Sequence, residues 1–125
     1  MRASHLAVTA AVLLPLSIPA PAQAPATVTV TLTSHRIAPN PIYLRADRKV
    51  RLVFLNRAGK THDFTAPRFF RESRIVAGRA PRGEIALEGG RGAVVDLIPR
   101  RGTYKVHCGQ FGHKQLGMKG IIVVS

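Results

Sequence analysis

Three side chains near the C-terminus could together bind a metal ion. Cys108, His113 and Met118 follow one another at intervals of five residues and offer a thiolate, an imidazole and a thioether. This soft and mixed donor set suits copper, which cycles between Cu(I) and Cu(II), far better than Mg²⁺ or Ca²⁺. Cys108 is also the only cysteine, so an internal disulfide, a cysteine-rich zinc module and a cysteine-ligated cluster are excluded.

A trigonal copper site with one Cys, two His and a weak axial Met requires a second histidine. His62 is the natural candidate because it follows a strand-like stretch and a turn. Gly109, Gly112 and Gly117 let the loop after Cys108 fold tightly enough for the donors to converge. The predicted metal ligands are His62, Cys108, His113 and Met118.

The elements that must position these residues show the period-two alternation of β-strands. Val50, Leu52 and Phe54 share one face of such a strand. Val106 and Cys108 share one face of another, which directs Cys108 into the core. Strands are predicted over residues 27–33, 42–44, 49–56, 85–87, 93–98, 103–108 and 120–124, and a helix over residues 66–77. Short strands punctuated by turns predict an all-β fold, an antiparallel sandwich or barrel with at most one short helix.

The N-terminus has the composition of an export signal. Arg2 supplies a positive charge, residues 6–18 form an apolar run too short to cross a bilayer comfortably, and small residues follow. Pro15, Pro19 and Pro21 argue against a continuous buried helix. We therefore expect residues 1–24 to be a signal peptide, cleaved between about residues 22 and 26. A single domain should follow over residues 27–125, in a periplasmic or secreted protein.

The chain is strongly basic, with 19 Lys and Arg residues against 6 Asp and Glu residues and a formal net charge of +13. Its 125 residues favour one domain and argue against a multi-domain enzyme. Five arginines form what we call the arginine stretch: Arg68, Arg71, Arg74, Arg79 and Arg82. It is either a solvated face that maintains solubility or a surface that docks onto an acidic redox partner or an anionic membrane. Export and the absence of a nucleic-acid-binding motif argue against nucleic-acid binding.

Two patterns of residues, one in the first half of the mature chain and one near its C-terminus, match those of a known family. The C-terminal pattern consists of Tyr104, Cys108, His113, Met118, Gly120, Ile122 and Val124. The upstream pattern consists of Pro39 or Pro41, Ile42, Val50, Phe54, Asn56, His62 and Phe64. Together they resemble the cupredoxins, small blue copper proteins such as plastocyanin, azurin and rusticyanin. The similarity runs from about Val28 to Val124, and the long spacing from Cys to His to Met resembles that of rusticyanin.

The resemblance implies a Greek-key β-sandwich that holds one copper ion and shuttles single electrons without being an enzyme. Cys108 would bind the metal through its thiolate. His62 and His113 would complete the trigonal plane, and Met118 would be the distant axial ligand that tunes the reduction potential.

The resemblance also implies how electrons enter and leave. The ring edge of His113 would be the electron port, within an apolar surface patch to which Phe111 and Leu116 belong. The protein is expected to be a monomer that exchanges electrons with an acidic redox partner protein, to bind no nucleic acid and to associate at most with a membrane surface.

The chain departs from the family pattern at Asp63, a position that is often Asn. A carboxylate accepts hydrogen bonds but cannot donate them, which changes how the two ligand segments are tied together. Two other functions fit the sequence: a periplasmic copper carrier or copper-tolerance protein, and a metal-free Ig-like binding module. The single Met of the mature chain favours electron transfer over copper delivery. Loss of copper binding on Cys108→Ser would exclude the metal-free module.

Overall fold

The structure is a computed structural model that describes residues 14–110 and 118–125. Within these residues, ten β-strands and one α-helix follow in chain order. The strands are β1 (Ala26–Leu32), β2 (Ile37–Ala38), β3 (Ile42–Leu44), β4 (Val50–Asn56), β5 (His62–Thr65), β6 (Arg74–Ala77), β7 (Glu84–Leu87), β8 (Gly92–Ile98), β9 (Gly102–His107) and β10 (Lys119–Val124). The helix α1 (Pro67–Glu72) follows β5, and a short 3-10 turn (Pro81–Gly83) precedes β7. No helix in these described ranges is long and apolar enough to span a membrane.

The predicted alternation is clearest in β4, the central strand of the first sheet. Val50, Leu52 and Phe54 are buried, whereas Arg51 on the opposite face is exposed. β1 runs parallel to β4 along its full length, and β8 pairs with the other side of β4 in the antiparallel direction. With β2 and β6 at its edges, this sheet has the order β2-β1-β4-β8-β6.

The second sheet carries the predicted ligand segments and has the order β3-β10-β9-β5-β7. Buried side chains from both sheets form one core, so the predicted all-β sandwich with a short helix is confirmed. Both sheets are mixed, however, rather than purely antiparallel as predicted, because β1 is parallel to β4 and β3 is parallel to β10. In each of these two pairs the connecting chain passes through the other sheet, which allows parallel pairing where a hairpin would not.

The segment after β5 differs most from the sequence interpretation. The helix predicted over residues 66–77 ends at Glu72, and residues 74–77 form the edge strand β6. Pro67 starts the helix as expected, and Phe69 is fully buried beneath it. All four residues of β6 are exposed, so no apolar alternation marks this strand in the sequence. The strands β2 and β5 are likewise absent from the sequence prediction.

A row of aromatic rings joins the two sheets and α1. Phe54 of the first sheet contacts Phe64 of the second, with ring centroids 4.9 Å apart. Phe64 contacts Phe70 at 6.1 Å, Phe70 contacts Phe69 at 5.2 Å, and Phe69 contacts Tyr104 at 5.4 Å. Each fully buried aromatic side chain contributes roughly 1.5–3 kcal/mol relative to an exposed one. The row therefore fixes β5 and β9, the two strands that carry His62 and Cys108, against the rest of the core.

Residues 14–24 are exposed and have no regular secondary structure, and β1 begins at Ala26. Residues 1–13 lie outside the described residues. The signal peptide over residues 1–24, its cleavage site and the domain over residues 27–125 therefore stay predictions.

Candidate metal centre

Two of the predicted ligands lie side by side at one end of the second sheet. His62 is the first residue of β5, and Cys108 directly follows β9, which pairs with β5 through Thr65 and His107. Both side chains are almost completely buried, at 2% and 1% exposure. The Nδ1 atom of His62 is 3.8 Å from the Sγ atom of Cys108. The imidazole of His62 and the thiol of Cys108 thus lie next to each other in the core, and the predicted burial of Cys108 is confirmed.

The separation of these two atoms can be compared with the requirements of a metal site. For metal–sulfur and metal–nitrogen bonds of about 2.3 and 2.0 Å, the lengths found at zinc, a 3.8 Å separation corresponds to an angle of about 124° at the ion. A trigonal site requires about 120°. The thiol and imidazole therefore fit two of the three equatorial positions of a trigonal copper site, in both donor type and spacing.

Met118 is brought to the same end of the sheet by the main chain. Its carbonyl oxygen accepts a hydrogen bond of 2.8 Å from the N–H of Cys108, and β10 begins at the next residue. The side chain is fully buried, at 0% exposure. The two ends of the segment from Cys108 to Met118 therefore meet, and a thioether lies in the core beside the strand that precedes Cys108.

The remaining predicted ligand, His113, lies outside the described residues, as do Phe111 and Leu116 of the predicted electron port. The structure brings together His62 and Cys108 and places Met118 across from Cys108. Metal ligation by His62, Cys108, His113 and Met118 therefore stays a prediction.

The side chain of Asp63 links β5 to the residues that directly follow Cys108. Its side chain is 2% exposed, and its carboxylate accepts hydrogen bonds from the main-chain N–H of Gly109, from the Thr65 hydroxyl at 2.6 Å and from the Gln110 amide at 3.2 Å. Its own N–H points at the Cys108 sulfur at 3.5 Å. As expected of a carboxylate, the side chain acts only as an acceptor. Thr65 and Gln110 were not identified from the sequence, where neither belongs to a recognisable motif.

The environment of Cys108 works against ionisation of its thiol. Burial raises the pKa of the thiol, and the nearby Asp63 carboxylate raises it further, whereas main-chain N–H groups of Asp63 and Gln110 lower it. The protonated thiol is therefore favoured in the metal-free protein. A metal that binds the thiolate must displace this proton, so metal affinity should increase with pH.

Asn56 controls the turn that leads into β5. Its side-chain amide donates to the carbonyl oxygens of Lys60 at 2.8 Å and Leu87 at 2.9 Å, and its Oδ1 accepts from the N–H of Ala58 at 2.9 Å. The side chain is 2% exposed. These three bonds hold the residue 57–60 turn against β7 and so set where His62 enters the sheet.

The fold and the residue pattern agree with a family model. The model for the cupredoxin-like domain matches residues 6–124. The chain belongs to the cupredoxin-like family. The predicted resemblance to the cupredoxins is thereby confirmed. No curated protein is significantly similar to it in sequence.

Solved structures share the fold at low sequence identity. Auracyanin B has a TM-score of 0.57 and 24% identity, covering 82% of this chain and 91% of its own. The dithionite-reduced auracyanin of Roseiflexus castenholzii has a TM-score of 0.61 and 15% identity, covering 82% and 99%. A multicopper oxidase of Campylobacter jejuni has a TM-score of 0.61 and 13% identity, but this cupredoxin spans only 33% of that chain. The auracyanins therefore match it over nearly their whole length, and the oxidase over one part.

Proposed function

We propose that this cupredoxin is exported, binds a single copper ion and shuttles single electrons between redox partners. The observation that carries the proposal is the buried thiol–imidazole pair of Cys108 and His62, 3.8 Å apart on neighbouring segments of one sheet. The match to auracyanins over nearly their full length supports a one-domain copper protein of this kind. Multicopper oxidases are far longer chains, of which this cupredoxin covers less than half.

The residues that would hold the ion are His62, Cys108, His113 and Met118. Copper bound by such a set supplies one-electron chemistry by passing between Cu(I) and Cu(II). The chain contributes a rigid frame, because His62 and Cys108 are anchored to adjacent strands and are shielded from water. A frame that keeps the donors in one arrangement lowers the structural change that accompanies each electron transfer.

The proposal predicts repeated redox cycling without loss of metal. The mature chain is loaded with one equivalent of copper and cycled by ascorbate and ferricyanide in the presence of a Cu(I) chelator. An electron shuttle keeps its copper and returns to the same visible spectrum after every cycle. Transfer of most of the copper to the chelator within a few cycles would instead identify a copper carrier.

We further propose that the arginine stretch docks this cupredoxin onto an acidic redox partner. All five of its arginines are exposed, and Arg68 forms a 2.8 Å ion pair with Glu72. Within residues 14–110 and 118–125, no other arginine of the stretch forms an ion pair. In the chain, the stretch begins before and ends after the edge strand β6, whose Ile75 and Val76 are 38% and 45% exposed. Exposed apolar side chains on a segment rich in exposed arginines suit association with an acidic protein surface.

Charge reversal tests this docking surface. Arg74→Glu and Arg79→Glu are compared with Arg36→Glu, an equal change of charge at an exposed residue before β2. The rate of electron exchange with an acidic redox protein should fall in the first two variants, and more at low ionic strength than at high, because attraction between separated charges is screened by salt. Equal effects in all three variants would mean that only net charge matters and that the stretch is a solvated face.

A further inference from the structure

The buried carboxylate of Asp63 is the least expected feature near the candidate metal centre. It is 2% exposed and lies in the chain directly after His62. A charged group is rarely buried to this degree unless donors compensate for its lost hydration. The compensating donors are the Thr65 hydroxyl, the Gly109 N–H and the Gln110 side-chain amide.

These donors come from both sides of the centre. Thr65 lies on the same strand as His62, whereas Gly109 and Gln110 directly follow Cys108. All three are neutral, so the described contacts stabilise the negative charge of Asp63 without cancelling it. The carboxylate is also held close to Cys108, since it accepts hydrogen bonds from the main-chain N–H of Gly109 and the side chain of Gln110, the two residues that follow Cys108.

The space beside Gly109 shows how closely the carboxylate approaches the loop. A Cβ atom at Gly109 would lie 3.3 Å from both carboxylate oxygens of Asp63, closer than ordinary van der Waals contact. A side chain at residue 109 would therefore press on the carboxylate that accepts the hydrogen bond from the Gly109 N–H. The Asp63 carboxylate therefore has two effects. It links the Cys108 segment to β5, and it places a negative charge beside that segment.

We propose that Asp63 is a positioning residue whose fixed negative charge lowers the reduction potential of the copper site. The proposal rests on the proposed copper-binding function. Negative charge favours the more positive Cu(II) over Cu(I), and in a site shielded from water this preference is weakly screened. At an effective dielectric constant of about 20, a unit charge several ångströms away changes such an equilibrium by at least about tenfold.

The Asp63→Asn variant removes the negative charge but can keep the hydrogen bonds that link β5 to the Cys108 segment. The asparagine Oδ1 can still accept from the Gly109 N–H and from the Thr65 hydroxyl, and the Gln110 amide can rotate to offer its oxygen to the new NH₂ group. Asp63→Ala removes both the charge and the acceptors. Asp96→Asn is the control for loss of a buried carboxylate elsewhere, because Asp96 is 6% exposed, lies in the other sheet and is paired with Arg51.

The reduction potential of the copper-loaded protein is measured for the wild type and all three variants, and amide exchange at Gly109 is measured in their metal-free forms. Asp63→Asn should shift the Cu(II)/Cu(I) equilibrium by about tenfold or more toward Cu(I), which is about 59 mV for one electron. Asp96→Asn should produce a much smaller shift. Exchange at Gly109 should be accelerated in Asp63→Ala and unchanged in Asp63→Asn.

Three results would overturn the proposal. One is an Asp63→Asn potential that rises no more than that of Asp96→Asn. Another is a rise accompanied by Gly109 exchange as fast as in Asp63→Ala, which would attribute the shift to a loosened loop. A wild-type protein without thiolate-to-copper absorption would overturn the copper-binding function as well, whereas the first two results leave that function intact.

Discussion

Replacing Asn56 by alanine should destabilise this cupredoxin more than most single substitutions, because one side chain satisfies three main-chain groups. Its amide donates to the carbonyl oxygens of Lys60 and Leu87, and its Oδ1 accepts from the N–H of Ala58. Asn56 is 2% exposed and Ala58 is 8% exposed, so water has little access to replace the lost partners. The substitution therefore strands buried donors and acceptors around the turn that precedes His62.

The size of the effect follows from the number of bonds. A hydrogen bond within a protein contributes about 1 kcal/mol net, and an abandoned buried partner costs about 1–3 kcal/mol. Three bonds thus give a loss of at least about 3 kcal/mol in the free energy of unfolding. Small domains have about 5–15 kcal/mol in total, so the variant should remain folded with a much lower Tm. At about 4–8 °C per kcal/mol for a domain near 100 residues, the decrease should be at least about 12 °C.

Urea unfolding of the metal-free protein measures the loss without any contribution from metal binding. Asn40→Ala is the matched control, because Asn40 is exposed and makes one good bond, accepting from the Ile121 N–H at 3.1 Å. It should cost less than about 1 kcal/mol. A loss below about 1 kcal/mol for Asn56→Ala, or equal losses in the two variants, would refute the assigned role of the buried amide.

Two further predictions concern stability. The bidentate ion pair with Arg51, at 2.8 and 2.9 Å, lowers the pKa of Asp96 below its usual value; its contribution to stability should therefore be present above the unfolded-state pKa of Asp96 and be lost as the pH falls through the lower folded-state pKa. In Asp96→Asn, stability should therefore depend less on pH in the acid range, as measured by circular dichroism during acid unfolding. An unchanged acid midpoint would contradict this. Gly83→Ala should be strongly destabilising, because Gly83 has φ +75° and a Cβ there would lie 2.3 Å from the Pro67 Cα; a thermal midpoint within about 2 °C of wild type, far less than strain of this kind costs, would show that the turn relaxes easily.

Much of the sandwich can be predicted from the sequence because burial and alternation coincide in most strands. In β4, residues with even numbers from Val50 to Phe54 are apolar and buried. The same parity argument placed Cys108 in the core, where it is 1% exposed. The strands were not predicted where the buried residues are not the apolar ones. β5 contains three consecutive buried residues, His62 to Phe64, of which two are polar, and β6 contains none.

The pairing of strands and the contacts of Asp63 depend on residues that are distant in the chain. Asp63 meets Gly109 across 46 residues and Gln110 across 47, and nothing local to either segment indicates the contact. The sequence did indicate that Asp63 would act only as an acceptor, since that follows from carboxylate chemistry. Likewise, the parallel pairing of β1 with β4 depends on the crossover through β3 in the other sheet, which hydrophobic periodicity does not describe.

Copper binding by the Cys108 thiolate is tested most directly by visible absorption and electron paramagnetic resonance spectra of the mature chain with one equivalent of Cu(II). We expect an intense thiolate-to-copper band and a narrow copper hyperfine splitting in the wild type. The spectra should persist in His107→Ala, which changes the neighbour on the other face of β9, and disappear in Cys108→Ser. A colourless wild type, or a spectrum that Cys108→Ser leaves unchanged, would contradict the assignment of this thiol as a copper ligand.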